Sequence, residues 1–229
     1  GCKYAVVETS SEGILQYRHR FIDYDIAVFT NLTPEHIERH GSFEKYREAK
    51  LKLFQKAAAK KSGIGIYNLD DENVEFFLKY PIGKKYGYTL SPSAPSLAGR
   101  ENLEYILEVK NIQLSSRGTR FEANNVILET KLLGRFNVYN MAAAICVAIS
   151  QGVETQTVKE ALVKLRSAPG RLEMVETGQN FTVIVDYSYE ATSLENALKA
   201  VSIFNPDQII VVFGSAGGGR DKWRRPVMG

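Results

Sequence analysis

Three polar clusters close apolar runs in this sequence, and in an open α/β sheet the carboxyl ends of the strands are where ligands bind. Glu8-Thr9-Ser10-Ser11 closes the run that starts at Tyr4. Thr30-Asn31-Leu32-Thr33-Pro34-Glu35-His36 closes a second run, and Asp186-Tyr187-Ser188 a third. Glu8 ends a run that reads as buried, so its charge needs a partner, a metal or solvent. His36 offers a ring nitrogen, and a carboxylate with an imidazole is a plausible metal pair in kind. Plain structural roles stay open. Ser10 and Ser11 can cap a helix, Asn31 and Thr33 can make a turn, and His36 can be a hydrogen-bonded structural residue. A fourth place is the loop Gly214–Gly219, which leads into Arg220, Lys222, Arg224 and Arg225. Glycine lets a backbone approach a ligand, and the cations favour a carboxylate or phosphate. The loop is neither a G-x-x-x-x-G-K-[ST] phosphate loop nor a G-x-G-x-x-G turn opening a helix.

The elements that would position these residues alternate. Tyr4 to Glu8, Asp25 to Asn31 and Gly63 to Leu69 read as buried parallel strands, being short, apolar and β-branched or aromatic. Ser42 to Lys61 reads as a helix, with Ser42 as cap and Tyr46, Ala49, Leu53 and Ala57 along one apolar face. Residues 82–132 carry Gly, Pro and Ser clusters between alternating segments, which predicts an antiparallel β insert. An alanine-rich helix is expected over Asn137 to Ser150, stopped by Gly152, and a second from Thr155 or Thr157 to about Arg166. Ser167-Ala168-Pro169-Gly170 is the linker candidate. Beyond it a fresh βαβ unit is expected: strand Phe181 to Asp186, helix Ser193 to Phe204, strand Gln208 to Phe213.

Composition bounds the function classes. With 229 residues the chain is about one and a half domains of roughly 150 residues. Its 44% apolar content is enough for a core without staples and excludes whole-chain disorder. Lys plus Arg number 29 against 26 Asp plus Glu, and a net charge of +3 is too weak to argue for nucleic acid or a membrane surface. Cys2 and Cys146 lack the spacing of a zinc site or a disulfide framework, and no apolar run nears the roughly 20 residues of a membrane helix. A reducing, cytoplasmic setting is the default expectation. The Gly1 start and the Gly229 end lead to the further expectation that the chain is a piece of a larger protein.

Taken in order, E-T-S-S-E-G, F-T-N-L-T-P-E-H, Y-R-E-A-K, G-R-F-N-V-Y-N, A-P-G-R-L-E, V-D-Y-S-Y and G-G-R-D-K-W-R-R-P-V-M-G resemble the Mur ligases. These are the ATP-dependent enzymes that build the peptide stem of peptidoglycan. The resemblance covers nearly the whole chain, is weakest over residues 80–130, and is nearest to the branch that adds the third residue of the stem. It implies an α/β fold: a parallel-sheet, ATP-binding central domain with an antiparallel insert over 1–167, then the start of a Rossmann-like C-terminal domain over 168–229. It implies ligation of an amino acid, meso-diaminopimelate or L-lysine, to UDP-MurNAc-L-Ala-D-Glu through an acyl phosphate, in a monomer that binds no nucleic acid and does not insert into membranes.

The resemblance also assigns residues. Lys50 of Y-R-E-A-K matches the lysine that the family carbamylates with carbon dioxide; by composition and spacing alone it reads as a solvated helix lysine. Glu8, His36 and the Lys50 carbamate are then the expected Mg2+ site. Ser10, Gln16 and Arg18 match positions that hold the UDP-muramoyl substrate. Asn137 and Asn140 match a pair near the nucleotide base, Arg171 and Asp186 match residues that approach ATP, and Arg220 matches a contact to the incoming amino acid. Asn137 can equally cap its helix, and Arg220 can be a solvated loop cation. The chain departs from the family pattern at Glu12, where many relatives have His, and at Tyr189, where D-Y-A-H-T-P has His. Its loop Gly214–Asp221 reads as one residue longer, and Trp223 is unusual there. The family's G-T-N-G-K-T phosphate loop is not among these residues, so the chain as it stands is expected to be inactive. Two rivals follow: a folylpolyglutamate-type or other Mur-type ligase, and a non-catalytic UDP-sugar-binding relative.

Overall fold

The computed structural model describes residues 1–34, 40–91, 100–214 and 224–229. Within Gly1–Tyr88 and Ala94–Ile106 the described residues form one compact unit, and within Thr89–Ser93 and Leu107–Gly229 a second.

The first unit is built on three parallel strands, β1 (Ile26–Phe29), β2 (Ile64–Asn68) and β3 (Lys84–Thr89), with Ile26 opposite Ile64 and Ile64 opposite Lys84. Every residue of β2 is buried, as a strand covered on both faces must be. Helix α1 (Ser11–Leu15) opens the unit. Helix α2 (Phe43–Ala58) packs on β1 and β2 and buries Tyr46, Ala49, Phe54 and Ala57, a stripe at helical spacing. Ser42 caps it, its Oγ accepting the Lys45 amide at 3.3 Å. Helix α3 (Val74–Leu78) adds Phe77, whose ring stacks on Phe29 at 3.9 Å and meets Phe54 edge-on at 5.0 Å.

The second unit holds the antiparallel strands β4 (Tyr105–Ser115, from Leu107 on), β5 (Gly118–Ala123) and β6 (Val126–Thr130). Helices α4 (Arg135–Ser150) and α5 (Thr155–Lys164) follow, then the antiparallel pair β7 (Glu173–Val175) and β8 (Val183–Val185), and helices α6 (Ala191–Val201) and α7 (Arg224–Met228). Leu133, Leu172, Ala197 and Ala200 form a buried cluster with Phe136 and Ile184 packed against it. Gly134 is required at the start of α4. Its φ is +86°, and a Cβ there would lie 2.8 Å from the Phe136 ring and 3.0 Å from Ala200 Cβ.

Five expectations are corrected. Residues 4–8 form no strand, and Val6 is fully exposed. An apolar β-branched run becomes a strand only where a neighbour takes its backbone hydrogen bonds. The antiparallel insert does not begin at 82, because β3 continues the parallel sheet and only β4 to β6 run antiparallel. The strand expected over 181–186 shortens to β8, whose partner is β7 in antiparallel register, so it does not open a parallel βαβ unit. Residues 208–213 are in no strand and lie exposed. Helix α2 ends at Ala58 rather than Lys61, with Phe54 buried where Leu53 was expected and Leu53 half-buried at the cluster's edge.

Candidate functional site

Of the residues expected to hold the substrate, the structure brings Ser10 and Arg18 together around Gly13. Ser10 caps α1, its Oγ accepting the Gly13 amide at 3.1 Å, so its capping role is real. A Cβ on Gly13 would meet Ser10 Oγ at 3.2 Å and Arg18 Cδ at 3.7 Å. Glycine at 13 therefore lets the arginine stem lie across the helix start beside the serine. Gln16 terminates α1, with its amide donating to Glu12 and Ile14 carbonyls and its side chain exposed. Tyr17 takes a left-handed conformation (φ 60°), which turns the chain into the 3-10 segment Arg18–Phe21, and Arg20 stacks over its ring at 3.9 Å. Arg18 itself is exposed.

Lys50 lies on α2. It is half-buried, with Nζ 5.3 Å from the centre of the Tyr46 ring. That differs from the solvated lysine that spacing alone suggests. Glu8 is exposed in an extended stretch. His36, Arg220 and Trp223 lie outside the described residues, as do the side chains of Arg224 and Arg225 and all of the 214–221 loop after Gly214. Among the described residues no three His, Cys, Asp or Glu side chains form a metal cage. The carboxylate and carbamate oxygens that the resemblance implies would be the hard kind of donor that magnesium takes.

The approach to His36 is held in place. The segment after β1 is tied down by Asp71, which accepts the Leu32 amide at 2.7 Å through Oδ2 and the Asn73 amide at 2.8 Å through Oδ1. Asn68 donates to the Thr30 carbonyl at 2.7 Å, and Asn73 Nδ2 reaches the Leu32 carbonyl at 3.4 Å. None of these three side chains stands out in the sequence, apart from Asp71 and Asn73 lying in the polar turn directly after the buried run Ile64–Leu69. Ser11 and His40 were also missed as a pair: both are buried, and His40 Nε2 lies 3.0 Å from Ser11 Oγ.

In the second unit, the residues expected at the nucleotide fall in two hydrogen-bonded groups. Asn137 Nδ2 donates to the Leu133 carbonyl at 2.8 Å, and Asn140 Nδ2 donates to Asn137 Oδ1 at 3.2 Å, so the pair is joined within the first turns of α4. Asp186 Oδ2 accepts the Leu172 amide at 2.8 Å, and Ser188 donates to Oδ1. Arg171, next in chain to Leu172, is exposed with its guanidinium 5.5 Å from the Tyr187 ring centre. Leu133 and Leu172 share one buried cluster, which places Asn137, Arg171 and Asp186 around a common support. A cavity of about 440 Å3 along Met174–Val183 carries none of these residues.

Comparison with known proteins places these features in a family. Residues 1–148 match the Mur ligase middle domain and residues 170–229 the Mur ligase, glutamate ligase domain. The chain is 36% identical over 236 residues to a UDP-N-acetylmuramoyl-L-alanyl-D-glutamate--2,6-diaminopimelate ligase of Geobacillus thermodenitrificans, covering 100% of this chain and 46% of that protein. It is 38% identical to the protein of that name from Halalkalibacterium halodurans over 233 residues, with the same coverage. The chain thus spans about half the length of these curated relatives. A solved diaminopimelate ligase structure superposes with a TM-score of 0.69 at 30% identity, over 96% of this chain and 44% of that one. MurF from Acinetobacter baumannii, at 18% identity and a TM-score of 0.67 over 82% of this chain and 40% of its own, shares the fold.

Proposed function

The chain belongs to the Mur ligase family, and from that premise we propose that the gene product containing these residues joins a diamino acid to UDP-MurNAc-L-Ala-D-Glu at the expense of ATP. The observation that carries this reading is the match along the whole chain to diaminopimelate ligases. Meso-diaminopimelate is the first acceptor to test and L-lysine the second. The domain reading is a central domain over 1–167 and the beginning of the C-terminal domain over 168–229, in a cytoplasmic monomer. No helix among the described residues is long and apolar enough to cross a membrane.

The reaction runs in two balanced steps. A carboxylate oxygen of the D-glutamyl residue attacks the terminal phosphorus of ATP; the O–P bond forms, the bridging P–O bond breaks and ADP leaves. The amine of the diamino acid then attacks the acyl carbon, the C–O bond to phosphate breaks, and the nitrogen loses its proton as the amide forms. Glu8, His36 and the Lys50 carbamate would hold magnesium, which when bound neutralises charge on phosphoryl oxygens. Ser10, Gln16 and Arg18 would bind and orient the muramoyl substrate; the Arg18 guanidinium suits a carboxylate or phosphate group. Arg171 and Asp186 would face ATP, Asn137 and Asn140 its base, and Arg220 the incoming amino acid. Only the neutral amine of Lys50 would react with carbon dioxide, and its half-buried place on α2 beside Tyr46 is where the carbamate would form.

The test is formation of UDP-MurNAc-tripeptide with ATP and each diamino acid, by the chain as it stands and by the complete gene product. Product from the complete protein, lost in Lys50→Ala, supports the reading. A folded complete protein that makes no tripeptide with either amino acid overturns it.

A further inference from the structure

Helix α2 carries more than Lys50. At its last turn Lys56 Nζ donates to three backbone carbonyls of one short segment: His19 at 2.7 Å, Ile22 at 2.8 Å and Arg20 at 3.1 Å. An ammonium has three protons, and all three are used here. The acceptors belong to the 3-10 segment Arg18–Phe21 and the residue after it. A cation at the carbonyl end of such a segment is favourable, and the His19 carbonyl also takes the Ile22 amide. Ahead of α2, His40 Nε2 meets Ser11 Oγ at 3.0 Å, with both residues more than nine-tenths buried. The stretch from Ser10 to Ile22 is thus fastened at both ends: at Ser11 by His40, just ahead of α2, and at His19–Ile22 by Lys56 of α2.

We infer that Lys56 and His40 are positioning residues, which hold the Ser10–Arg18 segment in fixed register with Lys50 along α2. The inference rests on the substrate role proposed above for Ser10, Gln16 and Arg18. Its physical content is pre-organisation. Arg18 is exposed, and the residues after it are held mainly by Lys56 and by the turn bonds Arg20 N to Tyr17 O and Ile22 N to His19 O. Without Lys56 the segment would sample orientations that do not bind substrate, and apparent affinity falls by the fraction that remains competent. Lys60, one turn further on, is the natural contrast. It pairs with Asp23 and Asp25 at 2.8 Å, and both carboxylates are exposed. Such surface pairs hold little.

The experiment compares Lys56→Met, Lys56→Arg and Lys60→Met in the complete gene product. The readouts are KM for UDP-MurNAc-L-Ala-D-Glu, KM for ATP, and kcat. Loss of three bonds to a charged group predicts a rise in KM for the muramoyl substrate of about tenfold or more in Lys56→Met. KM for ATP stays within about twofold, Lys60→Met behaves as wild type, and Lys56→Arg recovers part of the loss. In parallel, hydrogen exchange of the present chain reads the segment without any activity: Lys56→Met should speed exchange over residues 14–22 while residues 46–54 keep their protection. If Lys56→Met does not fold, Ser11→Ala removes only the hydroxyl that His40 holds and should raise the same KM alone. Equal rises in both KM values, or unchanged exchange over 14–22, overturn the inference. A wild-type protein without ligase activity overturns the proposed function instead, while the exchange comparison still decides whether Lys56 fixes the segment.

Discussion

Asp71→Ala should destabilise the first unit by about 2–4 kcal/mol. The carboxylate accepts the Leu32 amide at 2.7 Å and the Asn73 amide at 2.8 Å, and Leu32 is only 3% and Asn73 5% exposed. Truncation leaves two sheltered donors without acceptors, and each buried unsatisfied donor costs about 1–3 kcal/mol. Asp71→Asn keeps the shape and one acceptor oxygen, so it should cost about half as much. Glu72→Ala, at an exposed neighbour, should stay within about 0.5 kcal/mol of wild type. Urea unfolding followed by circular dichroism checks all three, and the shift should appear in the midpoint with an unchanged slope. The segment that Asp71 holds leads toward His36, so Asp71→Ala should also weaken magnesium-dependent turnover in the complete protein. An Asp71→Ala midpoint equal to that of Glu72→Ala would refute the reasoning.

Three more outcomes follow from single side chains. Among the described residues the buried Tyr67 hydroxyl has no hydrogen-bond partner, and burial pushes its pKa up, so Tyr67→Phe should be neutral or stabilising by up to about 1 kcal/mol in the same urea assay. Gly134→Ala should lose about 2–3 kcal/mol, because a left-handed φ and contact with Phe136 and Ala200 act together; a wild-type melting temperature would contradict this. His19 has its pKa lowered from 6.5 by burial first, then by the charges of Lys56, Lys52 and Arg20. The unfolded chain therefore binds that proton more readily, so the stability contribution is present above pH 6.5 and is lost as pH falls through the folded value. Calorimetry on either side of that pH should show a smaller acid loss of Tm in His19→Gln than in wild type.

Local patterning made part of the fold legible. The run Gly63–Leu69 reads as a buried strand because both of its faces are apolar, and β2 is buried throughout. Helix α2 is legible because Ser42 and the spacing of Tyr46, Ala49 and Ala57 agree. Residues 4–8 and 208–213 have the same apolar character yet form no strand, since pairing is a tertiary property that composition does not carry. The linker residues hide a similar lesson: β7 appears where no strand was expected, because β8 supplies its partner.

At the site, Ser10 was legible as a helix cap, and the structure shows that cap; its substrate role stays a proposal. The carbamate role proposed for Lys50 comes only from the resemblance, because a lysine on a helix carries no local mark of such chemistry. The supports were not legible at all. Lys56 meets carbonyls 34 to 37 positions away, His40 meets a serine 29 away, and Asp71 an amide 39 away. Such pairs arise only once α1, β1 and α2 have packed.

Heavy-oxygen transfer tests the central claim most directly. UDP-MurNAc-L-Ala-D-Glu carrying heavy oxygen in its carboxylates would be incubated with ATP, meso-diaminopimelate and the complete gene product, and the released phosphate weighed. Acyl-phosphate ligation by a Mur ligase predicts one heavy oxygen in phosphate for each amide formed, and loss of both in Lys50→Ala. Tripeptide formed with unlabelled phosphate, or phosphate released without tripeptide, would contradict it.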